Sequence, residues 1–133
     1  MLECLFLLLT VDIKQQQFVV AMLTLVRKQS AAHLPIGHSF IPYDILVTVM
    51  DSFSNDRELT VKALFATLPY SDMGLRYHFR KLVDSGWIEL HAVSGDARVK
   101  QIKPTDKLSK QFALLSGILA TQLGTPQIHA TNA

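Results

Sequence analysis

Two breakers, Pro69 and Gly86, divide residues 60–86 into a short helical pattern and a longer one with almost nothing between them, and few folds accept that spacing. Val61, Leu64, Phe65 and Leu68 recur at i, i+3, i+4 and i+7, one face of a helix. Thr60 stands where a cap for that helix belongs, and Pro69 stops it by removing an amide and blocking the backbone behind it. Ser71 then caps a second helix, which Gly86 ends in the C′ position. A short and a longer helix joined by a few residues make the helix-turn-helix pattern. Upstream, Pro42 suits the first turn of a further helix whose Ile45, Leu46, Val49, Met50 and Phe53 share a face, with Ser54-Asn55-Asp56 as its end. Downstream, Trp87–Val93 and Arg98–Lys103 read as short strands around a Ser94-Gly95-Asp96 turn, a hairpin in the position of a wing. Pro104-Thr105 opens a last helix over about residues 105–120, and residues 121–133 read as a loose tail.

The N-terminal part has a different character. Residues 2–28 hold their apolar side chains in two bursts, 4–9 and 18–26, around a polar Lys14-Gln15-Gln16-Gln17. They predict one or two helices that are apolar on most sides. Residues 29–40, with Pro35 and Gly37, read as a linker. Two roles are open for the N-terminal helix: packing on the body of its own domain, or dimerisation. The second is favoured, because a chain with 49% hydrophobic and only 18% charged residues has little surface of its own on which to bury so much Leu and Val. The fold class expected is mainly α with a small β-hairpin wing, a winged helix-turn-helix with flanking N- and C-terminal helices. Its divisions are residues 1–38 for the helical segment and linker, 39–112 for the winged domain, and 113–133 for the end of the last helix and the tail.

The apolar run 4–9 is far shorter than the ~20 residues that span a bilayer, and no basic residue precedes it. The expectation is a cytoplasmic protein with no membrane partner. The single cysteine, Cys4, excludes an internal disulfide and a cysteine zinc site, and within an apolar run it is expected to be buried rather than reactive. His33, His38, His78, His91 and His129 are scattered, and no G-x-S-x-G, P-loop, H-E-x-x-H or G-x-G-x-x-G occurs. No enzyme activity, catalytic residue, metal ligand or cofactor is therefore expected.

Charge distribution says more than net charge. Residues 71–110 carry eight Lys/Arg against five Asp/Glu, a surplus of three, while the whole chain carries a net charge of +2. The positive surplus is thus local. At about 100° per residue, positions 72–85 turn Leu75, Phe79, Leu82 and Val83 to one side. Met73, Tyr77, Arg80 and Lys81 turn to the other, with Gly74 between them and Arg76 and His78 flanking. Arginine can take guanine O6 and N7 in two parallel bonds, and Tyr and Lys can hold phosphates, so this face suits the major groove of double-stranded DNA. Gly74 weakens the first turn by roughly 0.5–1 kcal/mol against Ala. A close backbone approach to DNA or to the preceding helix would justify that cost. Ser71 sits where free amides can meet a phosphate. Arg98, Lys100 and Lys103 would bring the wing to the backbone or the minor groove. An exposed helix face is ordinarily charged for solubility alone, and Asp96 and Arg98 can pair merely to shape the hairpin. What favours DNA is the joint pattern of capped helix, basic helix and basic hairpin. A winged helix used for protein contacts alone is the alternative, and retention of Arg80 and Lys81 weighs against it. Trp87 is expected in the core where helix meets wing.

The stretch Ser71-Asp72-Met73-Gly74-Leu75-Arg76-Tyr77-His78-Phe79-Arg80-Lys81-Leu82-Val83-Asp84-Ser85-Gly86-Trp87-Ile88 resembles the recognition helix of the MarR-type winged-helix regulators, with their Leu-x-x-x-Gly-apolar-Ile step into the wing. Asp96-Ala97-Arg98 resembles their Asp-Arg-Arg wing tip, and Lys103-Pro104-Thr105-Asp106-Lys107-Leu108 resembles the Leu-Thr-x-x-Gly that opens their next helix. The resemblance spans about residues 41–112. It departs at Ala97 for the first wing-tip Arg, at Leu108 for the glycine, and in a short C-terminal part. The resemblance implies a dimeric transcription regulator with a possible small-molecule effector, its dimer resting more on the N-terminal segment than in the family.

Overall fold

The structure, a computed structural model, describes residues 2–93 and 95–123, with side chains described from Asp12 on; that of Cys4 and the residues Ser94 and 124–133 lie outside the description. The elements are α1 (Leu2–His33), α2 (Phe40–Ser54), α3 (Val61–Thr67), α4 (Asp72–Asp84), β1 (Ile88–Val93), β2 (Asp96–Pro104) and α5 (Asp106–Leu123). They fall into two compact units, residues 33–114 and, separately, the residues up to 32 with those from 115 on.

The N-terminal helix is a single one and longer than expected. None of Lys14–Gln17 is a breaker, and neither are Gln29–Ala32, so the helical ladder runs through to His33. It stops there because Leu34 precedes Pro35, whose ring disfavours helical backbone on the residue before it. The linker shrinks from 29–40 to residues 34–39. Along α1, Ile13, Phe18, Val19, Val20 and Leu23 are all exposed.

In the unit of residues 33–114, the helix starts follow the caps. Ser39 Oγ accepts from the Ile41 amide at 3.2 Å, Thr60 Oγ1 from Ala63 at 3.1 Å and Ser71 Oγ from Gly74 at 3.1 Å. Each satisfies one of the amides that a helix start leaves unpaired. At the end of α4, Gly86 has φ +79°. Its amide bonds Val83 O at 3.1 Å while the Trp87 amide bonds Leu82 O at 3.0 Å. This is the Schellman closure, and the positive φ it needs explains the glycine.

The hairpin is antiparallel, from Ile88 opposite Pro104 to Ala92 opposite Lys100, with a register shift between Ala92 and Val93. It begins one residue later than expected on β1, because the Trp87 amide is taken by α4. On β2 it begins two residues earlier, at Asp96. The residues before α3 add a bond to its other edge: the Ile102 amide donates to Leu59 O at 2.7 Å, and Thr60 bridges Gln101. Thr105 ties the start of α5 to the end of α4, its hydroxyl donating to Gly86 O at 2.7 Å and accepting from the Leu108 amide. The last helix runs to Leu123, so residues 121–123 are helical where a tail was expected.

Ile45, Leu46, Leu64, Leu75, Ile88 and Leu108 are almost wholly shut from water. Phe65 and Phe79 meet edge to face at 5.6 Å between ring centres. Trp87 is buried between α4 and β1, as expected, with Lys107 Nζ 4.5 Å from its ring centre. Phe53 departs from the expected stripe. The buried positions on α2 run Pro42, Ile45, Leu46, Val49 and Ser52, so the stripe steps by three at its end and leaves Phe53 in solvent.

The turn before α4 is anchored by Tyr70, whose hydroxyl donates to Asp44 Oδ2 on α2. That bond, then burial, then the negative charge of Asp44 raise the phenol above its ordinary 10.0. Ionisation is thus harder in the folded chain than in the unfolded one. The stabilisation is complete below the unfolded value of 10.0 and is lost as pH rises through the raised folded value. Tyr70→Phe should lower the unfolding free energy by about 1 kcal/mol well below pH 10. Urea melts of both proteins across the alkaline range should show the gap closing above it; a gap independent of pH would refute this account.

Candidate nucleic-acid interface

Helix α4 has two faces of opposite kind. Leu75, Phe79 and Leu82 are buried, and Val83 is half-buried. On the other side Met73 is 84% exposed and Tyr77 61% exposed, and Arg76, Arg80 and Lys81 are exposed with them. Lys81 Nζ lies 5.7 Å from the centre of the Tyr77 ring, and the Tyr77 and His78 rings meet edge to face at 5.1 Å. Arg76 is paired with Asp72 at 2.8 Å, one turn earlier. Both side chains are about two-thirds exposed, and such pairs contribute only about 0.3–0.5 kcal/mol, so Arg76 gives the partner up easily. Arg80 has no ion-pair partner among the described residues.

Gly74 is crowded, but not by the preceding helix. A methyl group there would sit 3.1 Å from Ser71 Oγ and 3.3 Å from Ile41 Cδ1. The missing side chain lets the first turn of α4 close on its own cap and on α2. Ser71 itself is exposed, its hydroxyl engaged by the Gly74 amide.

Between α3, α4 and the hairpin runs an open groove of about 870 Å³. Its floor is apolar, including Phe65, Phe79 and Val83, and five cations line it: Lys62, Arg76, Arg80, Arg98 and Lys100. Side chains alternate across a strand, so Arg98 and Lys100 share the face of buried Ile102 and continue it past the end of the core. Lys103 falls on the other face, opposite Glu89 in the ladder, and the structure does not bring it to the groove. Asp96 does not take the Arg98 guanidinium: its carboxylate accepts from the Arg98 backbone amide at 2.9 Å, which leaves the cation clear.

Lys62 was not among the residues singled out from sequence. One signal was available: a cation in the first turn of a helix opposes the helix dipole. Only the packing of α3 against the hairpin shows that Lys62 stands beside Arg98 and Lys100. Among the described residues, no group of three or more His, Cys, Asp or Glu is placed to hold a metal ion, and no helix is long and apolar enough to cross a membrane.

No family model and no curated protein matches the chain by sequence. Solved structures do match it in fold. AbfR in its disulfide form superposes with a TM-score of 0.62 at 18% identity, over 90% of this chain and 77% of that one. Reduced AbfR bound to DNA gives 0.52 at 19% identity, over 85% and 81%. AbfR comes from Staphylococcus epidermidis. MarR from E. coli, in its apo form, gives 0.53 at 15% identity, over 91% and 90%. At these identities the likeness is one of fold: the described residues form five helices and a two-stranded hairpin in the winged-helix arrangement of the MarR-type regulators.

Proposed function

We propose that this chain, which has the winged-helix fold of the MarR-type regulators, is a transcription regulator that binds specific double-stranded DNA as a homodimer in the cytoplasm. The observation that carries the proposal is the division of α4, one face sealed into the core and the other presenting Tyr77, Arg80 and Lys81, with Arg98 and Lys100 of the hairpin across the adjoining groove. A helix so divided enters a major groove with its outer face toward base edges, while the wing lies against phosphates. Residues 39–112 are the DNA-binding part. Arg80 reads a base. Arg76, Lys81, Arg98 and Lys100 hold the backbone, joined by Lys62, and Lys103 contributes less because it points away. That AbfR, similar in fold, is solved bound to DNA supports the reading. The exposed Ile13, Phe18, Val20 and Leu23 of α1 support the dimer, since apolar surface of that kind is stabilised by a second copy.

The test is fluorescence anisotropy of a labelled duplex across a salt series. Binding should appear at low salt and fall steeply, the log–log slope reaching about −0.9 for each phosphate neutralised. Sedimentation should show a species of about twice the 14.9 kDa chain, converted to monomer on deletion of residues 1–28. Absence of binding at low salt would leave the cations as solvated surface and transfer the case to a protein-contact module.

A further inference from the structure

One outward side chain of α4 is neither charged nor polar. Met73, in the first turn, is 84% exposed, more than any other large hydrophobic side chain among the described residues. Among the described residues nothing covers it, and Asp72, Arg76, Tyr77 and Arg80 border it around the same shallow surface. The helix does not need an apolar residue there. The inward stripe of Leu75, Phe79 and Leu82 is complete without it, and the Ser71 cap secures the first turn.

We infer that Met73 is a specificity-determining residue that reads thymine through its C5 methyl group. The inference rests on the DNA-binding reading above and names what one residue of that face recognises. With a recognition helix in the major groove, its N-terminal residues reach the base edges. The other groups by which that groove distinguishes base pairs are hydrogen-bond donors and acceptors, which a thioether serves poorly. The thymine methyl is the apolar group the groove offers. Met also suits the task sterically, because it is unbranched and adjusts to the surface it meets. The cations that surround it, Arg76, Arg80 and Lys81, bring the polyanion to it, and a polar base edge placed there instead would lose water without gaining a bond.

The experiment starts from duplexes that the full chain selects from a random pool. Each thymine of the selected site is replaced in turn by 2′-deoxyuridine, which differs only by the missing methyl, and affinity is read by anisotropy for the wild type, Met73→Ala and Met73→Gln. For the wild type, at least one position should lose about fourfold, the value of one buried methyl group. That position should be insensitive in both variants, which should also melt at the wild-type temperature because the side chain is exposed. If duplexes are selected but no thymine methyl matters to the wild type, or if the sensitivity survives in folded Met73→Ala, the inference is overturned while DNA binding stands. If no duplex is selected at all, the DNA-binding reading falls and this inference with it.

Discussion

Arg80→Ala should bind the protein's selected DNA site about 5- to 150-fold more weakly, the loss of a bidentate contact valued at about 1–3 kcal/mol, and should relax discrimination at one base position. Arg80 is exposed on the outer face of α4, borders both the surface around Met73 and the groove toward the hairpin, and has no ion-pair partner to leave behind among the described residues. Its removal therefore costs contacts with DNA and little in the fold. Lys100→Ala is the internal comparison. Lys100 stands on β2, on the strand face that continues past the core toward the groove, and its proposed role is to hold a phosphate. Its loss should weaken all duplexes alike and lower the salt slope by about 1. Competition binding against a panel of single-base variants separates the two. If both mutants lose affinity uniformly, Arg80 does not read a base and the division of roles between helix and wing is wrong.

Leu75→Ala should destabilise the chain by about 2–5 kcal/mol, five residues away on the same helix, with no direct part in DNA contact. Leu75 is 1% exposed and belongs to the core that includes Leu46, Leu64 and Leu108. The truncation removes its transfer free energy and leaves a cavity in a close-packed core, which closes on it only in part. A loss of that size is a large share of the total stability of a small domain. Thermal melts should report it as a clear fall in midpoint, in contrast to the exposed Arg80→Ala. A midpoint near wild type would mean that α4 is not packed through Leu75.

How much of this was legible in the residues depends on the range of the interactions concerned. Thr60, Ser71 and Gly86 act within a turn of their own position, so the starts of α3 and α4 and the end of α4 were readable, and the structure has them there. The two faces of α4 follow from a periodicity of 3.6 and were readable for the same reason. Where a boundary depends on competition the pattern misplaces it: a strand reads from Trp87, but the Trp87 amide bonds the Leu82 carbonyl. Residues 29–33 read as linker because Pro35 and Gly37 are near, but Pro35 acts only on the residue before it, so the helix continues to His33. Phe53 fitted the stripe by number and is exposed, since the pattern counts positions and not the extent of what they pack against.

By itself the sequence determined the order and nature of the elements, the caps, the turn glycines and the inward and outward sides of α4, all local or periodic properties of a chain. The tertiary structure alone decided that Arg98 and Lys100 stand with Lys62 and Arg80 on one groove while Lys103 does not. It also decided that Gly74 lies close against Ile41, where a side chain would be tight. Those are distances between residues far apart in the chain. They arise when the α3 lead-in pairs with β2 and α2 packs on α4, and no spacing along the sequence encodes them.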